Sequence, residues 1–229
     1  MKKIICAGAV VKNFIAQPLF YVIMFAALAI TGCIKDRITG SGNVISQTRN
    51  VEPFHGISVS GNKKVTVTYG RVQQLTLRGY ENLLPYFETN VRNGILEVGY
   101  KNNTSVRHDN IEITIEVPAF DKAMLSGSGD LSINNFNGSS LSLELSGSNN
   151  VTVASSYANA DISMSGSGNV NGAEFKTKTA TTHISGSGTI ELSCSDNLSA
   201  RISGSGNIYY WGSPMLDVSV SGSGKVVRK

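Results

Sequence analysis

The strongest constraint on the fold is a tetrapeptide that recurs along the second half of the chain at nearly constant spacing. Ser-Gly-Ser-Gly occurs there in five copies, and Ser-Gly-Ser-Asn replaces it in a sixth. Successive copies start 20, 19, 20, 18 and 18 residues apart. Such self-similarity is typical of repeat architectures, in which each repeat packs mainly on its neighbours. The copies start at Ser126, Ser146, Ser165, Ser185, Ser203 and Ser221.

The residues around each motif alternate between apolar and polar side chains. The position before the motif is apolar in every copy, and so is the fifth position after its first residue. This period of two is the pattern of a strand with one buried face. We therefore predict an all-β fold, a parallel β-helix or related β-solenoid, in which each repeat of 18–20 residues forms one rung. The apolar residues are Leu125, Leu145, Met164, Ile184, Ile202 and Val220 before the motif, and Leu131, Val151, Val170, Ile190, Ile208 and Val226 after it.

The motif residues have mechanical roles in such a rung. Glycine at the second and fourth positions either narrows the column or permits a bend. The serines are expected to face outward as a hydroxyl ladder, and the residues after each motif, several of them Asn, to form a partial amide ladder. At the end of the chain, Lys225, Arg228 and Lys229 are expected to protect the last open edge.

Residues 39–122 are β-rich but less regular than residues 123–229, and we expect them to continue the same sheets and to cap them. A degenerate copy of the motif, Ser-Gly-Asn-Lys, ends at Lys63. Asn93-Gly94 predicts a hairpin turn. Residues 81–86 predict a helix or turn, and a proline within them keeps it short.

The first 38 residues have the pattern of a lipoprotein signal. Basic residues precede an uncharged apolar run over residues 19–30, which has the length of a signal-peptide core and is short for a bilayer span. Small residues then lead into Cys33, matching the lipobox of bacterial lipoproteins. We predict a signal peptide over residues 1–32 and a lipidated Cys33 that begins a tether over residues 33–38. The alternative is an ordinary secretory signal cleaved nearby. Cys194 is then a lone thiol and is expected to be a small buried hydrophobe.

Charge narrows the choice of partners. Three of the 20 Lys and Arg residues precede Cys33 and none of the 16 acidic residues does, so the mature chain would carry a net charge of +1. We therefore predict no nucleic-acid partner. The basic pairs Lys63/Lys64 and Lys176/Lys178 are expected to be solvated.

Three segments before the repeats, residues 54–59, 94–98 and 113–118, lead into the Ser-Gly-Ser-Gly rungs. Together with the rungs they resemble the family called "putative auto-transporter adhesin, head GIN domain". The likeness covers about residues 39–227. It implies a β-helical, often lipid-anchored envelope domain, and the family brings no established catalytic residues.

The sequence offers little support for catalysis, and we predict no catalytic residue, metal site or cofactor. The enzymatic alternative is a polysaccharide-active, pectinase-like β-helix, which would need carboxylates on neighbouring rungs. Asp161 and Asp217 occupy equivalent positions, but three rungs separate them, about 14 Å. The histidines His55, His108 and His183 lack metal-ligand spacing.

Binding is better supported than catalysis. Tyr209 and Trp211 are predicted to point outward on one rung, on either side of an inward Tyr210. These two aromatic side chains are the candidate ligand contacts, because they could stack on a sugar face or fill a partner's pocket. The alternative is that Trp211 packs across a corner of the rung.

We therefore predict a non-enzymatic, lipid-anchored protein of the outer membrane, an adhesin or recognition module that presents a polar β-helix surface. Its expected partners are the bilayer, through acylated Cys33, and a glycan or a surface protein. Lys35 and Asp36 resemble, incompletely, the signal that exports some lipoproteins, so the cell surface is favoured over a periplasm-facing anchor. A periplasmic structural or sensory lipoprotein is a further alternative.

Overall fold

Strands make up most of the molecule. The computed structural model describes residues 36–101 and 104–229, and this part contains 18 strands and one 3-10 turn over Leu84–Tyr86. The signal segment and Cys33 lie outside the described residues. The strands are β1 (Asp36–Thr39), β2 (Val44–Arg49), β3 (Gly56–Gly61), β4 (Lys64–Tyr69), β5 (Gln74–Tyr80), β6 (Phe87–Arg92), β7 (Ile95–Tyr100), β8 (Thr104–Arg107), β9 (Glu112–Val117), β10 (Lys122–Gly127), β11 (Asp130–Gly147), β12 (Asn150–Gly166), β13 (Asn169–Asn171), β14 (Lys176–Gly186), β15 (Thr189–Gly204), β16 (Asn207–Trp211), β17 (Met215–Gly222) and β18 (Lys225–Arg228).

The strands stack as the rungs of a solenoid with two main faces. β10, β11, β12, β14, β15 and β17 lie side by side in parallel on the first face. The long strands β11, β12 and β15 also extend into the second face, where β13 pairs in parallel with β12 and β15, β16 with β15, and β18 with β16. The motif sets the register, since Ser126 lies beside Ser146 and Ser146 beside Ser165. The predicted all-β solenoid with one repeat per rung is confirmed.

The apolar positions on both sides of the motif form the core, as the alternation predicts. There are two exceptions: Val226 on β18 is only half-buried, and Val220 has 40% of its surface exposed. Val220 lies on β17, which pairs with β15 on one side and with no other strand of the described residues on the other. The buried residues are Leu125, Leu145, Met164, Ile184 and Ile202 before the motif, and Leu131, Val151, Val170, Ile190 and Ile208 after it.

Each motif forms a corner between the two faces. The strand before it ends at the first glycine, and the next strand begins directly after the second. Gly127 has a φ of 121°, so the first glycine is the residue that makes the bend. The second glycine continues the buried series, because a Cβ on Gly129 would lie within 3.0 Å of the Lys63 carbonyl oxygen. The motif serines are exposed, as expected.

Asn149 takes the place of the second glycine in the variant copy. Its side chain is buried, and its Oδ1 accepts a hydrogen bond of 3.1 Å from the Gly129 N–H one rung away. The residues that follow the motif form the predicted partial amide ladder. Asn150 donates to Asp130 Oδ1, and Asn169 donates to Asn150 Oδ1, both at 3.2 Å. Side-chain amides thus link successive rungs inside and outside the corner.

The N-terminal part of the described chain closes one end of the solenoid. β3 and β7 continue the first face in parallel, and β4 and β9 continue the second. The outermost strands, β6 on the first face and β5 with β2 on the second, run antiparallel to their neighbours. Asn93 and Gly94, with φ of 51° and 75°, form the predicted hairpin turn between β6 and β7. The other end, at β17 and β18, has no such cap among the described residues.

Lys63 contradicts the expectation that its basic pair is solvated. Its side chain is 4% exposed, and its ammonium pairs with Asp109 and lies 4.7 Å from the centroid of the Tyr100 ring. Lys64 is 66% exposed, as expected. The difference follows from the motif, because Lys63 is the fourth residue of the degenerate copy. This position faces inward, as it does at Gly129 on the next rung.

Candidate functional site

A groove of about 650 Å³ runs along the solenoid where the long strands leave one face for the other. One side is a column of residues that pair from rung to rung. At about 4.8 Å per rung, this column of five residues is about 19 Å long. The groove therefore follows the solenoid axis across five successive strands. The column consists of Asn137, Ser156, Lys176, Ser193 and Trp211.

The floor of the groove is built from the neighbouring column, which is buried. Tyr157, Thr177 and Cys194 are 3%, 6% and 2% exposed. Gly138 precedes them in the column, and the Tyr157 ring fills the space where a Cβ of Gly138 would lie. Cys194 is thus the buried small residue that the sequence predicts, and here it lines the bottom of a groove.

Tyr157 is the rigid part of this floor. Its hydroxyl donates a hydrogen bond of 2.7 Å to the carbonyl oxygen of Phe120, and its ring packs edge-to-face on Phe175 at 6.2 Å. Burial raises the pKa of Tyr157 well above its usual value, and the negative charge of Asp121 adds to this. The phenol is therefore neutral, and its buried ring closes the groove from below.

Two lysines give the groove its charge. Lys176 and Lys178 are exposed, as expected, and they flank the floor residue Thr177 along β14. Within the described residues neither ammonium forms an ion pair, and no Asp or Glu lines the groove. The groove is therefore electropositive over an apolar floor, a combination that suits a ligand with both an anionic group and an apolar face.

The structure separates the two aromatic candidates. Tyr210 is 7% exposed and points inward, as predicted, while Tyr209 and Trp211 are half-buried. Lys229 folds back over both rings, 4.5 Å from the centroid of Tyr209 and 5.3 Å from that of Trp211, and its ammonium also bonds Glu191 at 2.9 Å. Trp211 lines one end of the groove, whereas Tyr209 does not line it.

Sequence reasoning missed the groove, because its residues do not align when positions are counted from the motifs. Lys176 lies 11 residues after the first serine of its motif, and Trp211 lies 8 residues after that of its own. The strand pairing nevertheless brings both residues into one column, with Ser193 between them. The buried contribution of Tyr157 had no signal either, because its column is occupied by unlike residues.

The remaining candidate chemistry stays dispersed. Asp161 and Asp217 lie in one column with two residues between them, as the repeat predicts, and the Asp217 carboxylate is held by Arg201 at 3.0 Å. Of the histidines, His55 Nδ1 lies 2.7 Å from Asp121. Over residues 36–101 and 104–229, no three His, Cys, Asp or Glu side chains are close enough to share a metal ion.

A family model decides the relationship of the chain to known proteins. Residues 53–214 match the model described as "Putative auto-transporter adhesin, head GIN domain". The chain belongs to this family. The match spans the cap strands from β3 onward, the regular rungs as far as β16 and the whole groove, and it ends before β17. The head GIN domain family is adhesin-like, which suggests a protein of the cell surface or envelope.

Solved structures share the fold of this head GIN domain. One from Bacteroides fragilis, called a putative adhesin, has a TM-score of 0.68 at 22% identity and covers 84% of this chain and 100% of its own. One from Parabacteroides merdae, also called a putative adhesin, has a TM-score of 0.57 at 20% identity, covering 85% and 99%. One from Parabacteroides distasonis, called a putative lipid binding protein, has a TM-score of 0.55 at 20% identity, covering 85% and 100%.

A comparison of the sequence with curated proteins finds no match. In the part of the chain that the structure describes, no helix has the length and apolar character needed to cross a membrane.

Proposed function

We propose that the protein is a non-enzymatic, lipid-anchored recognition module of the cell surface, and that its axial groove binds an anionic glycan chain. The observation that carries the proposal is the charge of the groove: two lysines that form no ion pair with any described carboxylate flank a buried, largely apolar floor. Membership of an adhesin-like family supports a role in recognition. Uronic acids and sulfated sugars have the matching chemistry, with an anionic substituent beside an apolar ring face.

The groove suits a chain better than a compact ligand. Ser156 on β12 and Ser193 and Ser195 on β15 carry hydroxyls along the axis, so a polymer laid along the groove would meet donors and acceptors on more than one rung. Trp211 at one end provides a ring on which a sugar can stack. The walls belong to paired strands, so little conformational entropy is lost on binding. Weak contacts repeated along a polymer add up to a useful affinity.

The proposed anchor is a lipid on Cys33, with the fold outside the outer membrane. We expect intact cells to incorporate labelled fatty acid into the protein. Cys33→Ser should abolish this incorporation, while the amount of protein detected by immunoblot stays unchanged. Added protease should remove the C-terminal rungs from intact cells while a periplasmic control protein survives. Protection of the rungs in cells, with cleavage of the purified protein under the same conditions, would overturn the surface location.

Removing the charge of the groove tests the glycan proposal. We expect purified protein to bind polygalacturonate or a sulfated glycan but not neutral dextran, with affinity that falls as salt is added. Lys176→Ser together with Lys178→Ser should weaken binding at least about tenfold, because each charge-assisted contact contributes about 1 kcal/mol or more. Isothermal titration calorimetry measures the loss.

The matched control removes two positive charges elsewhere. Arg71→Ser with Lys101→Ser changes exposed residues away from the groove and leaves the net charge equal to that of the test variant. We expect its affinity to stay within about twofold of the wild type. Equal losses in the two double variants would mean that the glycan responds to overall charge, and the groove would not be its site.

Trp211→Ala should weaken binding without changing the salt dependence.

A further inference from the structure

The last rung of the solenoid exposes side chains that belong to the core. Leu216, Val218 and Val220 on β17 are 49%, 44% and 40% exposed. Their neighbours in the same inward columns on β15 are 1%, 0% and 3% exposed. The columns that fill the core therefore continue to the last rung of the described residues, and none of those residues covers them there. Those buried neighbours are Leu198, Ala200 and Ile202.

β17 also lacks the features that protect an open strand edge. Such edges are usually guarded by proline, inward charges, bulges or very short strands. β17 is eight residues long and contains no proline. Its one charge, Asp217, lies in the outward series, where Arg201 holds it at 3.0 Å. The basic residues that were predicted to protect the last edge lie on or after β18, not on β17. Arg228, for example, occupies the inward column of β18 next to Tyr210.

The sequence of β17 is complementary to itself in the antiparallel direction. If two copies pair about Val218, Leu216 lies opposite Val220 of the second copy, and Asp217 opposite Ser219. Inward residues then meet inward residues, and no like charges face each other along this strand. Since such an arrangement has twofold symmetry, the same surface serves both copies and the assembly closes as a dimer.

We propose that two copies of the protein associate end to end through β17, so that the first faces of both solenoids form one continuous sheet. The occupant of the open end is a second copy because its strand supplies matching apolar columns and matching register. Lys225 and Arg228 of both copies lie on the same interface, and their repulsion limits the affinity. Salt screens that repulsion, so the dimer is tighter at higher ionic strength. Interfaces held by ion pairs show the opposite salt dependence, because salt weakens them.

Sedimentation velocity on the full chain, with Cys6 and Cys33 replaced by serine, tests the proposal. The wild-type interface should give a monomer–dimer equilibrium that shifts toward dimer with protein concentration and salt. Val218→Lys places a charge in the inward column and should weaken association at least about 100-fold. Ser219→Lys adds the same charge one residue along, on the outward face, and should stay within about threefold of the parent. Both sites are exposed in the single molecule, and thermal melting checks that both variants fold.

A cysteine at the symmetry position tests the register independently. Directly opposed residues of antiparallel strands have the spacing that a disulfide needs. In the same background Val218→Cys should form a disulfide-linked dimer under mild oxidation, whereas Ser219→Cys should not, because its counterpart is Asp217. Cys194 is buried and does not compete. A monomeric parent at every concentration, equal effects of the two lysine variants, or equal cross-linking of the two cysteine variants would each overturn the proposal.

Discussion

Gly186→Ala is expected to destabilise the solenoid by about 2–4 kcal/mol, a large part of the roughly 5–15 kcal/mol by which a domain is ordinarily stable. Gly186 is the first glycine of its motif and has a φ of 137°. A Cβ there would overlap the carbonyl oxygen of Gly166, its neighbour on the rung below. The overlapping atom is backbone within a paired strand, so it cannot move aside without breaking the ladder. Denaturant unfolding followed by far-UV circular dichroism measures the loss.

The same column contains its own control. Gly61 is the first member of the column and has a φ of 89°, but nothing lies within 4 Å of its Cβ position. Gly61→Ala therefore carries only the cost of a positive φ, about 1 kcal/mol. The difference between the two variants isolates the contact between rungs. If both variants lost the same stability, the backbone conformation alone would explain the glycine, and the stacking argument would be wrong.

The rungs were predictable because their signal is local. Apolar and polar residues alternate on both sides of each motif, and a strand converts that alternation directly into buried and exposed faces. What the motif does between the strands was not decided by sequence. Glycine permits a positive φ but does not require it, so the sequence left open whether the motif narrows the column or bends the chain. In the structure Gly127 makes the bend, and Gly129 allows the close approach of the next rung.

The errors came from features that depend on which rung a residue occupies. Val220 has the same local sequence as the buried residues of earlier rungs, but it lies on the last rung and is exposed. The pair Lys63/Lys64 looks like a solvated pair when considered alone. Its position in a degenerate motif indicates otherwise, because the fourth motif residue faces inward. A lysine is tolerated there because its ammonium pairs with the Asp109 carboxylate.

The proposed end-to-end dimer adds a consequence for the proposed glycan site. The described chain enters the fold at β1, which pairs with β8 beside the cap, and it ends at the open rung. Two copies joined at their open ends would have their N-terminal sides pointing away from each other. They would also present two grooves on one rigid body, and two linked sites bind a polymer more tightly than either alone.

Asp109→Asn is expected to destabilise the protein by about 3–5 kcal/mol, because it leaves the buried Lys63 ammonium without its counter-charge. The pair is held on several sides. Tyr100 donates a hydrogen bond of 2.7 Å to Asp109 Oδ1, the Ile111 N–H donates to the same oxygen at 3.1 Å, and the Phe87 ring lies 5.6 Å from the ammonium. Urea unfolding compares the variant with the wild type.

A double-mutant cycle distinguishes the loss of a partner from the loss of packing. Lys63→Met keeps an unbranched side chain against Tyr100 and removes the buried charge, so it should cost less than Asp109→Asn. Adding Lys63→Met to Asp109→Asn should then recover part of the lost stability, since the uncompensated ammonium is gone. The deciding comparison is the free energy of unfolding of the double variant against that of Asp109→Asn alone. If the double variant is the less stable of the two, Lys63 stabilises the cap through its packing and hydrogen bonds, and the cap does not depend on the ion pair.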